Sequence, residues 1–199
     1  MWLWRADHVK RAENEVPNDP NFPYYHQTRI WEEDKNGDKV DSNGKKVRKV
    51  NECDAKNALV VNGNDVKIYG LFCEHTTEHQ MVWNGERGSV SFFQCELPYD
   101  VDKDFEENTY VGYYVNPDVK EHIGRGIGVY SNFQVYNVVT PYGAHVPDVS
   151  TDEILIENPF TRYLNNNGGI KSVIKSGDQL YGGEVKSNDR IQRGWLGKK

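Results

Sequence analysis

The sequence is short of several things, and each shortage excludes a class of protein. No uninterrupted run of about 18 apolar residues occurs, so no membrane-spanning helix is expected. Only three cysteines are present, Cys53, Cys73 and Cys95. That is too few for a disulfide scaffold, and the odd count leaves at least one thiol free. Basic residues are outnumbered, 24 Lys and Arg against 30 Asp and Glu, for a net charge of −6. An acidic chain without a basic stripe is a poor ligand for nucleic acid or an anionic membrane surface. There is no Asn-x-Ser/Thr acceptor, no His/Cys cluster with zinc spacing, no glycine-rich phosphate loop and no nucleophile elbow. Asp34-Lys35-Asn36-Gly37-Asp38 hints at a calcium loop, but Lys39 and Lys45 stand where an EF-hand needs glycine and glutamate. No metal or other cofactor is therefore expected. Residues 1–8 lack a basic segment followed by an apolar one, so no signal peptide is expected in this chain. Long helical periodicity is absent.

Aromatic side chains are plentiful, at 12% with five Trp and twelve Tyr. Four stretches succeed one another. Residues 1–8 are a short apolar segment. Residues 9–57 are polar and punctuated by Pro17, Pro20, Pro23, Asn36-Gly37 and Asn43-Gly44, which reads as an inserted surface loop or hairpin. Residues 58–147 are rich in Val, Ile, Tyr, Phe and Gly. Residues 148–199 hold two strand-like runs and, from 176, a polar tail.

The third stretch repeats itself. Val60-Val61-Asn62-Gly63 through Leu71-Phe72-Cys73-Glu74 aligns without a gap on Val82-Trp83-Asn84-Gly85 through Phe93-Gln94-Cys95-Glu96, at an offset of 82 − 60 = 22. A period in the low twenties, with short β-rich runs and turn residues at matching places, marks a solenoid. The fold class expected is all-β, a partial right-handed parallel β-helix forming a single domain over residues 1–199. Later strands are expected at Gly126–Tyr130, Gln134–Val139, Glu153–Glu157 and Ile170–Ile174. Strand side chains alternate between faces. If Leu71, Cys73, Phe93 and Cys95 point inward, then Phe72, Glu74, Gln94 and Glu96 point outward. Two glutamates then stand side by side on neighbouring coils, roughly 4.8 Å apart at the backbone.

Trp4-Arg5-Ala6-Asp7-His8, Val60-Val61-Asn62-Gly63 and Tyr69-Gly70-Leu71-Phe72-Cys73-Glu74-His75 carry a further signal. So do Trp83-Asn84-Gly85-Glu86-Arg87-Gly88, Glu96-Leu97-Pro98-Tyr99-Asp100 and Gly126-Ile127-Gly128-Val129-Tyr130. Together they resemble the C-terminal β-helix of glycoside hydrolase family 55, the exo-β-1,3-glucanases, whose shape is pectate-lyase-like. The resemblance implies a secreted, metal-independent, inverting enzyme acting on β-glucan. It implies Glu96 as general acid, Glu74 as its neighbouring carboxylate, and Trp4 and Tyr99 as sugar-stacking rings. It also implies a second, N-terminal β-helix that this chain lacks, so the chain is expected to be a piece of a longer enzyme, with that missing half as a possible partner.

The residue types suit this chemistry. Glycoside hydrolysis needs one carboxylic acid to protonate the leaving oxygen and a second group to activate or hold water. A pair of like charges brought together holds one proton more tightly. Flat rings such as Trp4, Trp83 and Tyr99 can stack on glucose. Arg5, Asp7, His8 and His75 can bind hydroxyls or hold the glutamates. Three rival readings use the same residues differently: a glucan-binding β-helix without turnover, a polysaccharide lyase, and a structural adhesin coil. The acidic run Asp100, Asp102, Asp104, Glu106 and Glu107 is expected to be a solvated loop, and Cys73 and Cys95 a reduced core ladder.

Overall fold

The computed structural model describes residues 1–5, 32–33, 39–40, 55–99, 101, 103–133, 137–150, 153–165, 167–182 and 195–197. The chain divides into two compact units, one of Met1–Arg5 with Ala55–Lys199 and one of Ala6–Asp54. The first unit opens with strand β1 (Trp2–Trp4). In the second unit β2 (Glu32–Glu33) and β3 (Lys39–Val40) pair antiparallel across the Asn36-Gly37 position. The rest of the 9–57 stretch lies mostly outside the described residues.

The first unit continues with β4 (Leu59–Val61), β5 (Lys67–Glu74), β6 (Met81–Trp83) and β7 (Gly88–Glu96). A five-residue helix, α1 (Lys103–Glu107), precedes β8 (Tyr113–Val115), β9 (Glu121–Ser131) and β10 (Val139–Val146). Then come β11 (Glu153–Glu157), β12 (Phe160–Tyr163), β13 (Gly169–Ser176), β14 (Gln179–Tyr181) and β15 (Trp195–Gly197). One sheet runs β1-β5-β7-β9-β11-β15, with β12 also pairing β9, and the other runs β14-β13-β10-β8-β6-β4. From β4 to β11 successive strands fall in alternate sheets, and neighbours in each sheet are parallel. In these two sheets, among the described residues, β14 and β15 alone join antiparallel. The described chain is thus nearly all-β with parallel sheets, consistent with a pectate-lyase-like fold.

The repeat is a physical register. Val60 pairs with Val82, Ile68 with Val90 and Leu71 with Phe93. Inward positions stack as apolar ladders. Leu71, Phe93 and Ile127 form one, and Val61, Trp83 and Val115 another, all of them buried. Asn-Gly recurs at the turn because the amides form a ladder of their own. Asn116 Nδ2 donates to Asn84 Oδ1 at 3.2 Å, and Asn84 Nδ2 to Asn62 Oδ1 at 2.8 Å. The glycine beside Asn84 is required by space, because a Cβ on Gly85 would stand 1.9 Å from the Gly63 carbonyl oxygen. Gly63 meets only a Val66 methyl at 3.3 Å. Gly85→Ala is expected to cost about 1–3 kcal/mol in urea unfolding, as overpacking does, while Gly63→Ala is expected to cost much less.

One position in each coil bends the strand. Gly70, Phe92, Gly126 and Asn158 occupy corresponding places, and all have positive φ, of 67°, 64°, 63° and 51°. Three of the four are residue types that tolerate this conformation; phenylalanine is not.

Three expectations need correction. Residues 103–107 are a helical turn anchored by buried Phe105 rather than a loop, although Asp104, Glu106 and Glu107 face solvent at least in part. The strand expected at 134–139 begins only at Val139 and runs on through Pro141 to Val146, with residues 134–136 outside the described set. The polar tail contributes β14 and β15, which pair with strands already laid down. None of the three carries the repeat's periodicity, which is why periodicity missed them.

Candidate functional site

The outer face of the first sheet gathers most of the residues singled out from sequence. β1 lies parallel to β5 with Trp2 opposite Phe72 and Trp4 opposite Glu74. β7 follows, with Phe72 opposite Gln94, and on β9 Tyr130 stands opposite Glu96. Continuing that register, Trp4, Glu74, Glu96 and Tyr130 form one row across four neighbouring strands. The strands finish at a common level: Arg5 N–H donates to Glu74 O at 3.1 Å, His75 N–H to Glu96 O at 3.0 Å, and Leu97 N–H to Tyr130 O at 2.9 Å.

The alternation expected along β5 and β7 is present. Leu71, Cys73, Phe93 and Cys95 are buried, while Phe72, Gln94 and Glu96 are partly open. Glu74 departs from its neighbours on that face, being only 7% exposed. Trp2 covers it and donates its indole N–H to Glu74 Oε2 at 2.8 Å. Gln94 Nε2 donates to Glu74 Oε1 at 3.4 Å. With both oxygens accepting, the carboxyl is held in one orientation.

Around the pair stands an aromatic and cationic frame. Trp4 stacks on Trp2 with centroids 6.1 Å apart and meets His75 edge-on. Tyr99 also meets His75 edge-on, with centroids 4.4 Å apart. His75 is buried and its φ of 65° turns the chain, and the buried Arg5 donates from Nε to the His75 carbonyl oxygen. Trp2 and Trp4 remain 66% and 39% exposed, so their rings offer flat apolar faces to solvent. Such faces suit a sugar ring, whose hydroxyl edge the carboxylates and amide can bind.

Behind this face lie Cys73 and Cys95, free and buried. Burial pushes the Cys73 thiol up to about 12 and the Cys95 thiol well above its ordinary value. Neither is a thiolate at neutral pH, so they act as small apolar side chains rather than nucleophiles. Among the described residues no group of three or more His, Cys, Asp or Glu stands close enough to hold a metal ion.

The structure therefore brings together Trp4, Arg5, Glu74, His75, Glu96 and Tyr99. It removes Trp83 from the sugar-binding set. That ring is 0% exposed on the other sheet, its indole N–H donates to Gly85 O at 2.9 Å, and it packs against His122. Asp7 and His8 lie outside the described residues. Strand alternation places Gln94 on the face of Glu96, and Trp2 on that of Trp4, but the sequence alone assigns no site role to either, nor to Tyr130.

Stacked parallel sheets in this strand order are consistent with a pectate-lyase-like fold. The comparisons with known proteins agree. A family model described as the LAM55 pectate lyase-like domain matches residues 1–96. An exo-β-1,3-glucanase of Streptomyces sp. (strain SirexAA-E / ActE) is 38% identical over 80 residues, which are 38% of this chain and 13% of that protein. The structure of sacteLam55A from Streptomyces sp. SirexAA-E superposes with a TM-score of 0.66 at 26% identity, over 72% of this chain and 27% of that one. A variant of sacteLam55A in complex with glucose gives the same TM-score at 25% identity, over 72% and 26%. The chain is thus similar to LAM55-type pectate-lyase-like proteins, with the family match confined to its first 96 residues. It spans only about a quarter of the length of the solved structures it matches.

Proposed function

We propose that this chain contributes the acid-bearing face of a β-1,3-glucan hydrolase that acts with inversion, as part of a longer enzyme of two β-helices working outside the cell. The observation that carries the reading is the row Trp4, Glu74, Glu96 and Tyr130 across four neighbouring strands. The kinship with an exo-β-1,3-glucanase and with a glucose complex supports the substrate class. The solenoid winds right-handed, as parallel crossovers do.

Glu96 is the acid. One of its carboxyl oxygens is shut from solvent, and it sits in the row between Glu74 and Tyr130. Glu74, already held by Trp2 and Gln94, is the assisting carboxylate that fixes a sugar hydroxyl or a water. Inversion needs room for a water between acid and base, about 6.5–9.5 Å. Trp4 and Tyr99 form the sugar platform, with Arg5 and His75 as positioning residues.

The test is incubation with laminarin, cellulose and polygalacturonate, following the first-formed anomer by NMR. Release from laminarin alone, with the α-anomer appearing first, supports the reading. Chelator-sensitive formation of ultraviolet-absorbing ends from polygalacturonate would replace it with a lyase. In the same assay Trp4→Ala is expected to weaken laminarin binding about tenfold, the scale of one lost stacking contact, as read by tryptophan fluorescence titration.

A further inference from the structure

Beside the carboxylate row, on the same outer face, lies a cavity of about 590 Å³, within the range of about 300–1,000 Å³ typical of ligand pockets. Its walls include Phe92, Gln94, Tyr130, Asn158, Phe160 and Arg162.

Phe92 is the residue that calls for an explanation. It stands in the bend position that glycine fills at 70 and 126 and asparagine at 158, and it holds a φ of 64° there. A bulky side chain in the left-handed region is disfavoured, and residues kept in such a conformation cluster where ligands bind. Its ring does no core packing, since it is 60% exposed and meets Phe72 edge-on at 5.7 Å. Across the cavity Phe160 lies over the bare backbone of Gly128, where a Cβ would come within 2.5 Å of the ring. Phe160 in turn stands edge-on to Tyr130 at 5.7 Å. The space thus has aromatic walls, with two amides and one guanidinium at its edge, a lining suited to a flat ligand with apolar faces and a hydroxyl rim.

The cavity is joined to the carboxylates. Gln94 lines it and also donates to Glu74, and Tyr130 lines it while standing opposite Glu96. We propose that this cavity is a further sugar subsite, with Phe92 as its stacking platform, that takes a residue of the glucan chain remote from the cleaved bond. The proposal rests on the glucan reading above. Contacts to a remote sugar raise affinity for long oligosaccharides and leave short ones untouched.

The experiment titrates the full chain and two variants, Phe92→Gly and Phe92→Asn, with laminaribiose and laminarihexaose by calorimetry, and measures each Tm. Both replacements suit the left-handed backbone. The expected result is a loss of hexaose affinity on the order of tenfold, with unchanged biose affinity and a Tm equal to or above the parent's. Hexaose binding at the parent's affinity in both variants overturns the subsite while leaving the glucan reading intact. A lowered Tm with both sugars lost makes Phe92 structural and overturns it as well. Failure of the unmodified chain to bind either sugar removes the glucan reading and the subsite with it.

Discussion

Glu96→Gln is expected to lower reducing-sugar release from laminarin by a factor of about a hundred to ten thousand, the range in which a positioned general acid contributes. The change keeps the side chain's shape and its place between Glu74 and Tyr130, but removes the transferable proton. Glu96 is half-buried at a strand end, and its backbone oxygen, which receives the His75 N–H, is untouched. The unfolding midpoint should therefore stay where it is, and the rate alone should fall. Glu74→Gln is expected to behave differently. An amide puts an N–H where an oxygen now accepts, against either the Trp2 indole N–H or the Gln94 amide. That variant should loosen Trp2, and its fluorescence should report the change alongside any loss of rate. Equal rates in the parent and Glu96→Gln would remove Glu96 from the acid role.

Acid is expected to destabilise the fold well above the range where most carboxylates titrate. Burial lowers His122 to about 3, and lowers His79 and His145 to about 4 each. His145 also faces the Lys175 ammonium, and His79 faces His145, with Glu78 opposing the shift. The surroundings are aromatic: Tyr113 and Trp83 around His122, and Tyr110, Tyr114 and Tyr142 around the other two. Each folded-state value lies below the unfolded value of about 6.5. The unfolded chain therefore takes up protons that the folded chain refuses, and stability falls as pH drops from about 6.5 to about 4. Above that window the contribution is fully present. His79 and His145 are partly open to solvent, which screens their share, so the buried His122 carries most of the loss. Urea midpoints measured across this window should fall steeply. His145→Phe, which keeps a ring among Tyr114 and Tyr142, should flatten the slope. A midpoint independent of pH over that range would show that these histidines titrate normally in the folded chain.

The sequence by itself determined the repeat and everything that repeats with it. A stacked coil puts like residues in contact with like, so the offset between Val60 and Val82 is also the register between them, and it aligns Asn62 with Asn84, whose amides meet; that Asn116 joins the ladder, 32 residues further on, is shown only by the structure. Alternation then placed Glu74 and Glu96 on one face with no knowledge of the turns. Even the burial of Trp83 was within reach, because it pairs with the inward Val61.

Tertiary structure decided what periodicity does not encode. Trp2 buries Glu74 from a strand 72 residues away in sequence, and no local pattern announces that contact. α1, β14 and β15 form because surfaces already built receive them: a pocket for Phe105, and the free edges of β11 and β13. The left-handed turn at Phe92 is set by the bend shared with Gly70, Gly126 and Asn158, a constraint that neighbouring coils impose and that phenylalanine would not choose alone.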